Sequence, residues 1–386
     1  MNLRGLYFLI FVVSSLFCAP SVNALVLPED RADVLYHSYD GGGVEVSGPS
    51  VLLRKKFSEN LSASYNNYVD TVSSASIDVV TSGASRYSEE RQENSLNLDY
   101  LHEKTLINGS FTNSSESDYE ADTFSLSISQ DMFGDLTTVS MGYSQGDNTI
   151  RSNVDDSVSE NADSRSYRVS LTQVMTQDLI MSFSFEAITD EGFLGSVYRS
   201  VRYINEAVAL GYSFQREKYP NTHTSNAFAI NGRYYLAPRS VLHAGYRLYS
   251  DDWGVEASNY ELGYTFPLPY DEDWLLELGY RYYAQTHADF YSDLLPFGGG
   301  AEPQTFYARD KELSTYNDQA ISLGASYEFN KNGSGFIKKG TANLFVDYIS
   351  FQYDDFRDLT ETAVPGEEPL YEMNATVLRL FVSIWF

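Results

Sequence analysis

The chain has 386 residues, and its 53 acidic and 26 basic side chains give a formal net charge of −27. Such a chain offers no basic face to phosphates, so we do not expect it to bind nucleic acid. Aromatic residues make up 15% of the sequence although the mean hydropathy is only −0.30, and no apolar segment after the N-terminal one is long enough for a membrane-spanning helix.

The N-terminal segment has the three parts of a secretory signal. Arg4 precedes an apolar run over Leu6–Phe17, and the residues at Val22–Ala24 suit signal-peptidase cleavage. The run is shorter than the roughly 20 residues that a spanning helix needs. We therefore predict a signal peptide over 1–24 and a mature domain over 25–386.

Apolar and polar residues alternate in many segments of the mature chain. A period of two residues is typical of a β-strand, whose successive side chains point to opposite faces. These segments predict about 16 strands if Ala32–Tyr39 forms the first, or 14 if that segment lies inside the barrel or in the periplasm. Clear examples are Phe124–Ile128, Val139–Tyr143, Leu179–Phe185, Leu242–Leu248, Leu262–Phe266 and Leu276–Tyr282.

The C-terminal segment carries the strongest strand pattern. One face holds Leu378, Leu380, Val382, Ile384 and Phe386, with Arg379 and Ser383 on the other. A strand of this kind that ends on an aromatic residue resembles the signal read by the barrel-assembly machinery. We therefore expect Phe386 to be the assembly signal and this machinery to be a partner. A soluble β-sandwich also alternates, but the predicted export signal and the abundance of Tyr favour a transmembrane antiparallel β-barrel.

The connections between these segments alternate in length, which predicts short periplasmic turns and long outer loops. This arrangement is typical of the outer membrane of a Gram-negative cell, where lipid and lipopolysaccharide would surround the protein. Short connections lie near Phe57–Asn60, Glu103–Thr105, Asp131–Asp135, Thr176–Asp178, Ala237–Arg239 and Pro267–Asp273. Longer ones lie near 73–92, 147–164, 190–221, 287–315 and 355–371.

Charged side chains occupy the faces opposite the apolar ones. If the apolar faces contact lipid, the charged residues line the lumen, where water or an opposite charge can stabilise them. Two interpretations remain open: a polar channel, or a plugged barrel in which Arg and Glu residues brace the wall. The predicted lumen-lining residues on consecutive strands are Arg233, His243, Arg247, Glu261, Glu277 and Arg281.

The sequence contains no recognisable catalytic or metal-binding motif. No family signature surrounds any of the five histidines, so we predict that the protein is not an enzyme. His287, Asp289 and Asp293 could place mixed ligands on one side of an extended segment, but a solvated loop explains them better. The only cysteine, Cys18, lies in the predicted signal peptide. We therefore expect no disulfide, metal or cofactor in the mature chain.

Several segments together resemble the bacterial family of unknown function DUF3570. The resemblance implies an outer-membrane protein that accompanies a flavin-attaching enzyme, a thioredoxin-like protein and a small lipoprotein. It therefore implies a periplasmic redox protein or small lipoprotein as a partner, but no catalytic residue. The segments are Pro28–Gly43, Val69–Val80, Ser129–Ser140, Tyr198–Tyr203, Arg281–Asp293 and Ala308–Ser314.

Taken with the residue patterns, this resemblance predicts a porin-like channel, or a conduit or sheath for a partner, connected with periplasmic or extracellular redox chemistry. The alternative is a structural or docking barrel with a plugged lumen. An outer-membrane enzyme is the least favoured interpretation.

Overall fold

A computed structural model describes residues 26–74, 87–155, 157–236, 239–298, 304–331, 333 and 335–386. The predicted signal peptide, 1–24, and most of the predicted loop near 73–92 lie outside these residues. In the described part of the chain, no helix is long and apolar enough to cross a membrane.

Sixteen strands form one closed antiparallel barrel, as the alternation predicts. The first nine are β1 (Arg31–Gly41), β2 (Val44–Lys56), β3 (Leu61–Ser74), β4 (Tyr87–His102), β5 (Thr105–Ser115), β6 (Tyr119–Met132), β7 (Thr137–Arg151), β8 (Ser159–Val174) and β9 (Leu179–Gly192). Two short strands, β10 (Ser200–Ile204) and β11 (Tyr212–Arg216), pair with each other outside the barrel wall.

The wall resumes beside β9 with a strand that follows this hairpin. The remaining strands are β12 (Thr222–Leu236), β13 (Ser240–Asp251), β14 (Glu256–Leu268), β15 (Asp271–Gln285), β16 (Tyr316–Phe329), β17 (Lys339–Arg357) and β18 (Leu370–Trp385). A short 3-10 helix occupies Lys311–Leu313.

The first and last strands close the barrel. β1 pairs with β18 from Arg31 opposite Trp385 to Gly41 opposite Ala375, and its other edge pairs with β2. The predicted segment Ala32–Tyr39 is therefore the first strand, and the alternative of 14 strands is wrong. Because every wall strand has two neighbours, no edge is left to pair with another chain.

The predicted apolar faces lie on the outside of the barrel. In the absence of lipid, Leu262 is 53% exposed, Leu278 48% and Leu380 49%. Residues one position away are more buried and lie on the inner face, as a period of two requires. The outer surface therefore has the alternation of a lipid-facing wall.

The two ends of the barrel differ in their connections. At the turn end, where β1 begins and β18 ends, most connections are as short as predicted, with 330–338 the longest. At the opposite, loop end, the long connections that the structure describes in whole or in large part are 193–221, 286–315 and 358–369, while the connection 75–86 lies outside the described residues. The prediction that outer loops are long holds only in part, because three loop-end connections are short and β7 and β8 extend into the predicted loop near 147–164. The short loop-end connections are 42–43, 116–118 and 252–255.

The shortest loop-end connection is a two-residue turn between β1 and β2. Gly42 and Gly43 have φ angles of +58° and +76°. Side chains other than glycine rarely adopt two consecutive positive φ angles, whereas the tight hairpin turn requires them. The Gly-rich segment after Asp40 therefore acts as a turn.

Candidate functional site: the capped lumen

The six predicted lumen residues lie on the inner wall of four consecutive strands. Glu261 of β14 lies opposite Arg281 of β15 in the strand register. His243 packs over Gly263 so closely that a Cβ added there would lie 2.0 Å from the imidazole. His243 and Gly263 are cross-strand partners on β13 and β14, and the imidazole fits there because glycine has no side chain. His243, Glu261, Glu277 and Arg281 border one crevice together with Asp347.

Two of the inner-wall arginines, Arg247 and Arg281, form ion pairs with Glu186 and Asp318. Arg281 donates to Asp318 of β16 at 2.6 Å, and both side chains are buried. Arg247 lies 3.6 Å from Glu186 of β9, which also accepts a hydrogen bond from Arg168. Glu261 instead accepts a hydrogen bond from Asn259 of its own strand. These ion pairs connect different strands of the inner wall.

Asp318 is an inner-wall residue that the sequence prediction omitted. Ile321 and Leu323, on the same strand, are 56% and 54% exposed and point outward. Asp318 lies an odd number of positions from both of them and therefore points inward. The alternation of residues along β16 was therefore enough to predict that Asp318 faces the lumen.

One side of the inner wall near the loop end is largely apolar. Buried aromatic and aliphatic side chains from β1 to β3 and from β14 to β18 form one cluster, with Tyr249 of β13 packed against it. On β15, β16 and β17 these side chains share the inward positions with charged residues, including Asp318, which lies between Tyr316 and Ala320. The main aromatic members are Tyr39, Tyr283, Tyr316, Phe351, Tyr353 and Phe356.

The long connections fold over the loop end and cover this layer. We call the described residues of 193–221, 286–315 and 358–369 the cap. The β10–β11 hairpin and the residues that follow it pair with the connection after β15. Backbone bridges join Tyr203 to Leu295 and Lys218 to Tyr307. Leu194 and Val197 pack against Ile150 and Ala162 of β7 and β8. The connections of the cap therefore contact one another and also pack against the wall.

A network of buried charges joins the three connections of the cap. Arg202 of β10 has no exposed surface, and its guanidinium donates to Glu368 of the last connection at 2.5 and 3.0 Å. The same guanidinium donates to the carboxylate of Asp293 and, at 2.9 Å, to its backbone oxygen. Arg309 donates to Asp293 at 2.9 Å and lies over the ring of Phe356 at 4.2 Å.

The charge of Glu368 is stabilised by this network. Burial alone would raise the pKa of its carboxyl group, but the hydrogen bonds from Arg202 hold the pKa below its ordinary value. A carboxyl group whose pKa is lower in the folded than in the unfolded chain stabilises the folded state only while it is ionised. The contribution of Glu368 to the stability of the cap is therefore lost as the pH falls through its folded-state pKa.

A cavity of about 320 Å³ lies between the cap and the wall. Its wall side includes the aromatic rings of Tyr249, Tyr283 and Tyr316, and its cap side includes Arg199 and Tyr219. Burial raises the pKa of Tyr219 well above its ordinary value, so its hydroxyl keeps its proton. The space can hold a small guest that has aromatic surface and a few polar groups.

The histidines are distributed between the wall and the cap rather than gathered at one centre. His37 accepts or donates a hydrogen bond with Asp70 at 2.6 Å and stacks on Tyr68. His223 lies 3.0 Å from Asp251, and its ring contacts Trp253. The segment weighed as a metal candidate is divided, because His287 contacts Asp355 at 3.0 Å while Asp293 binds the arginines of the cap.

Comparisons with known proteins agree with the barrel fold. The family model described as "Protein of unknown function (DUF3570)" matches residues 79–338. A bacterial polysaccharide outer-membrane secretin has a TM-score of 0.51 at 6% identity over 93% of this chain and 99% of its own. Such an identity shows similarity of fold alone. No curated protein sequence matches the chain.

Two further barrels have lower scores. The outer-membrane protein opdK from Pseudomonas aeruginosa has a TM-score of 0.45 at 7% identity over 93% of this chain and 99% of its own. The siderophore receptor PirA from Acinetobacter baumannii has a TM-score of 0.44 at 10% identity over 90% of this chain. The present chain spans only 57% of that receptor.

Proposed function

The chain belongs to the DUF3570 family, whose description names no activity, and we propose that it forms a gated channel across the bacterial outer membrane. In this proposal, the turn end faces the periplasm and the loop end faces outward, as in other barrels of this membrane. The charged inner wall forms the lining of the channel. The cap is the gate.

The observation that carries this proposal is the complete burial of Arg202 at the meeting point of the three cap connections. A buried cation is tolerated only when opposite charges and hydrogen bonds compensate for its lost hydration. Removing one member of such a group typically costs about 3–5 kcal/mol, because the remaining charges stay buried without a partner. The cap therefore has a defined closed arrangement that depends on a few residues, which is what a gate requires.

A plugged barrel that serves as a docking platform is the second candidate. The buried aromatic layer below the cap favours it, because Tyr283, Tyr316 and Phe351 pack on the inner wall and line the cavity under the cap, where a channel would need open space. In either proposal, the periplasmic redox protein or lipoprotein that the family resemblance implies would act at the turn end. A conduit or sheath role would need the cap to open around that partner.

We expect Arg202→Gln to increase the conductance of the barrel. Glutamine cannot compensate the charges of Asp293 and Glu368, so the three cap connections lose their common contact. The measurement is single-channel recording in planar bilayers with purified, heat-modifiable protein. Wild type should remain mostly closed, and the variant should open at least tenfold more often. Arg239→Gln is the matched control, since Arg239 is at the turn end and 41% of its side chain is exposed.

Two results would contradict the proposed gate. If the wild-type barrel conducts as often as the Arg202 variant, the cap does not control the lumen. If neither protein conducts while both are correctly folded, the channel proposal is wrong and the docking barrel replaces it.

A second prediction concerns ion selectivity in the opened barrel. When Arg247 and Arg281 are both changed to Gln in the Arg202→Gln background, we expect the reversal potential to shift toward cation selectivity. The change removes two positive charges from the wall and leaves Glu186 and Asp318 without these partners. Local charge then determines which ions are concentrated in the lumen. An unchanged reversal potential under a salt gradient would show that ions do not pass these residues.

A further inference from the structure

Three carboxylates from separate positions meet at the loop end of the wall. Glu89 is the third residue of β4, whereas Glu116 and Asp118 belong to the three-residue connection between β5 and β6. One carboxylate oxygen from each residue lies within 4.8 Å of the others. Two ligands of one calcium ion can be no farther apart than about 5 Å, twice the usual ion–oxygen distance, so this spacing fits a shared cation.

Backbone hydrogen bonds fix the three groups in place. The backbone N–H of Glu116 donates to the oxygen of Tyr119 at 2.8 Å, which closes the connection. The N–H of Ser117 donates to Glu89 at 3.1 Å and joins the connection to β4. The N–H of Arg151 donates to the backbone oxygen of Asp118 at 2.7 Å. These bonds fix the backbone of Glu116 and Asp118 and hold the carboxylate of Glu89 against the connection.

The carboxylate of Glu116 is the unusual member, because it is buried without a hydrogen bond. The residue is 9% exposed and its side chain is fully buried, yet neither oxygen has a hydrogen-bond partner among the described residues. An ionised carboxylate in such a place requires a positive partner.

The nearest protein cation does not meet this requirement. Nε of Arg91 lies 4.0 Å from Glu116 but donates to the hydroxyl of Ser114 at 3.1 Å. The other guanidinium nitrogens of Arg91 lie 2.5 Å from Glu93 and 3.6 Å from Asp70. One arginine thus faces three carboxylates, while Glu89 and Asp118 add two further negative charges close to Glu116.

We infer that Glu89, Glu116 and Asp118 form a binding site for a calcium ion. Carboxylate oxygens are the ligands that hard divalent cations prefer, and calcium accepts six to eight oxygens in a flexible geometry. Glu89 and Asp118 are only partly buried, so water can complete the coordination shell. Magnesium fits less well, because it demands a near-octahedral shell and releases its water reluctantly.

The site also adjoins the cap. The hydroxyl of Tyr198, in the connection before β10, donates to the carboxylate of Asp118 and accepts a hydrogen bond from the backbone N–H of Asn153 at 2.8 Å. A calcium ion that orients Asp118 would therefore also stabilise the hydrogen bond between Asp118 and Tyr198 of the cap. The inference concerns binding of the ion and does not depend on whether the lumen conducts.

Isothermal titration of the chelator-treated, full-length barrel with calcium chloride tests this inference. We expect one saturable site per chain, with a dissociation constant on the order of 10⁻⁴ to 10⁻³ M, as is common for extracellular calcium modules. Glu116→Gln and Asp118→Asn should each weaken binding at least tenfold. Glu120→Gln is the matched control, because Glu120 is only two residues from Asp118 but is exposed and lies outside the carboxylate cluster. This variant should bind calcium as wild type does.

Folding of each variant is checked by heat modifiability, so that loss of binding can be separated from loss of the barrel. Equal calcium binding by wild type and folded Glu116→Gln would overturn the site, as would the absence of saturable binding in the wild type. Displacement of calcium by an equal concentration of magnesium would overturn the assignment of the ion. If calcium binds as expected but the Arg202 variant does not conduct, only the proposed channel is wrong.

Discussion

Replacing Leu278 by Arg is expected to destabilise the barrel by about 2–4 kcal/mol, the usual cost of a charged side chain on the lipid face near the membrane midplane. Leu278 is at the middle of β15, and 48% of its surface is exposed on the outside of the wall. In the membrane, the guanidinium would lose its water, and its cross-strand neighbours Tyr264 and Leu323 carry no negative charge to compensate for this loss. The free energy of unfolding, measured by denaturant titration in lipid vesicles, checks this value.

Glu277→Gln is the matched control for this prediction. Glu277 is the preceding residue of the same strand and points to the inner wall, where it borders a polar crevice. Its substitution keeps the shape of the side chain and should cost less than Leu278→Arg. Equal losses of stability in the two variants would mean that the assigned faces of β15 are wrong.

The strand count and the facing of the wall could be predicted from the sequence because lipid and the lumen are such different environments. Each strand must place apolar groups on one face only, so a period of two remains visible even in short segments such as Leu262–Phe266. The same reasoning placed Glu261 and Arg281 on the inner wall. Their contacts could not be predicted, because alternation gives a side chain its face but not its neighbours along the barrel axis.

The cap was beyond sequence reasoning for a related reason. Arg202 meets Asp293 and Glu368 across 91 and 166 residues of chain, and no periodic pattern connects such positions. The long connections were predicted as outer loops, and His287, Asp289 and Asp293 as residues of a solvated one. Glu368 is instead 3% exposed, because the buried charge of Arg202 compensates its own.

The apolar inner layer shows where the sequence rule was incomplete. Tyr283, Tyr316 and Phe351 have the same inward orientation as the charged residues of their strands, although the residues predicted to line the lumen were all charged or histidine. These rings are shielded from water because the cap covers them. Without knowledge of the cap, an inward aromatic residue would have counted against the assigned face.

The closing strand gives a second prediction with a large effect. Changing Phe386 to Asp is expected to leave most of the protein outside the membrane and unfolded. Phe386 follows β18, completes its outward apolar face and stacks on Phe336 with the ring centres 4.9 Å apart. Its backbone N–H donates to the oxygen of Asp30, just before β1, at 3.3 Å. A charge at this position would face lipid beside the seam that β1 and β18 must form.

The matched control is Phe336→Asp, which removes the same ring contact from the other side. Phe336 lies in the connection before β17 and is 75% exposed, so this variant should insert nearly as wild type does. Membrane fractionation and heat modifiability of both variants provide the comparison. If Phe336→Asp fails equally, the ring contact is what matters and the predicted assembly signal at Phe386 is unnecessary. If Phe386→Asp inserts normally, position 386 has no role in assembly, and closure depends on the backbone pairing of β1 with β18 alone.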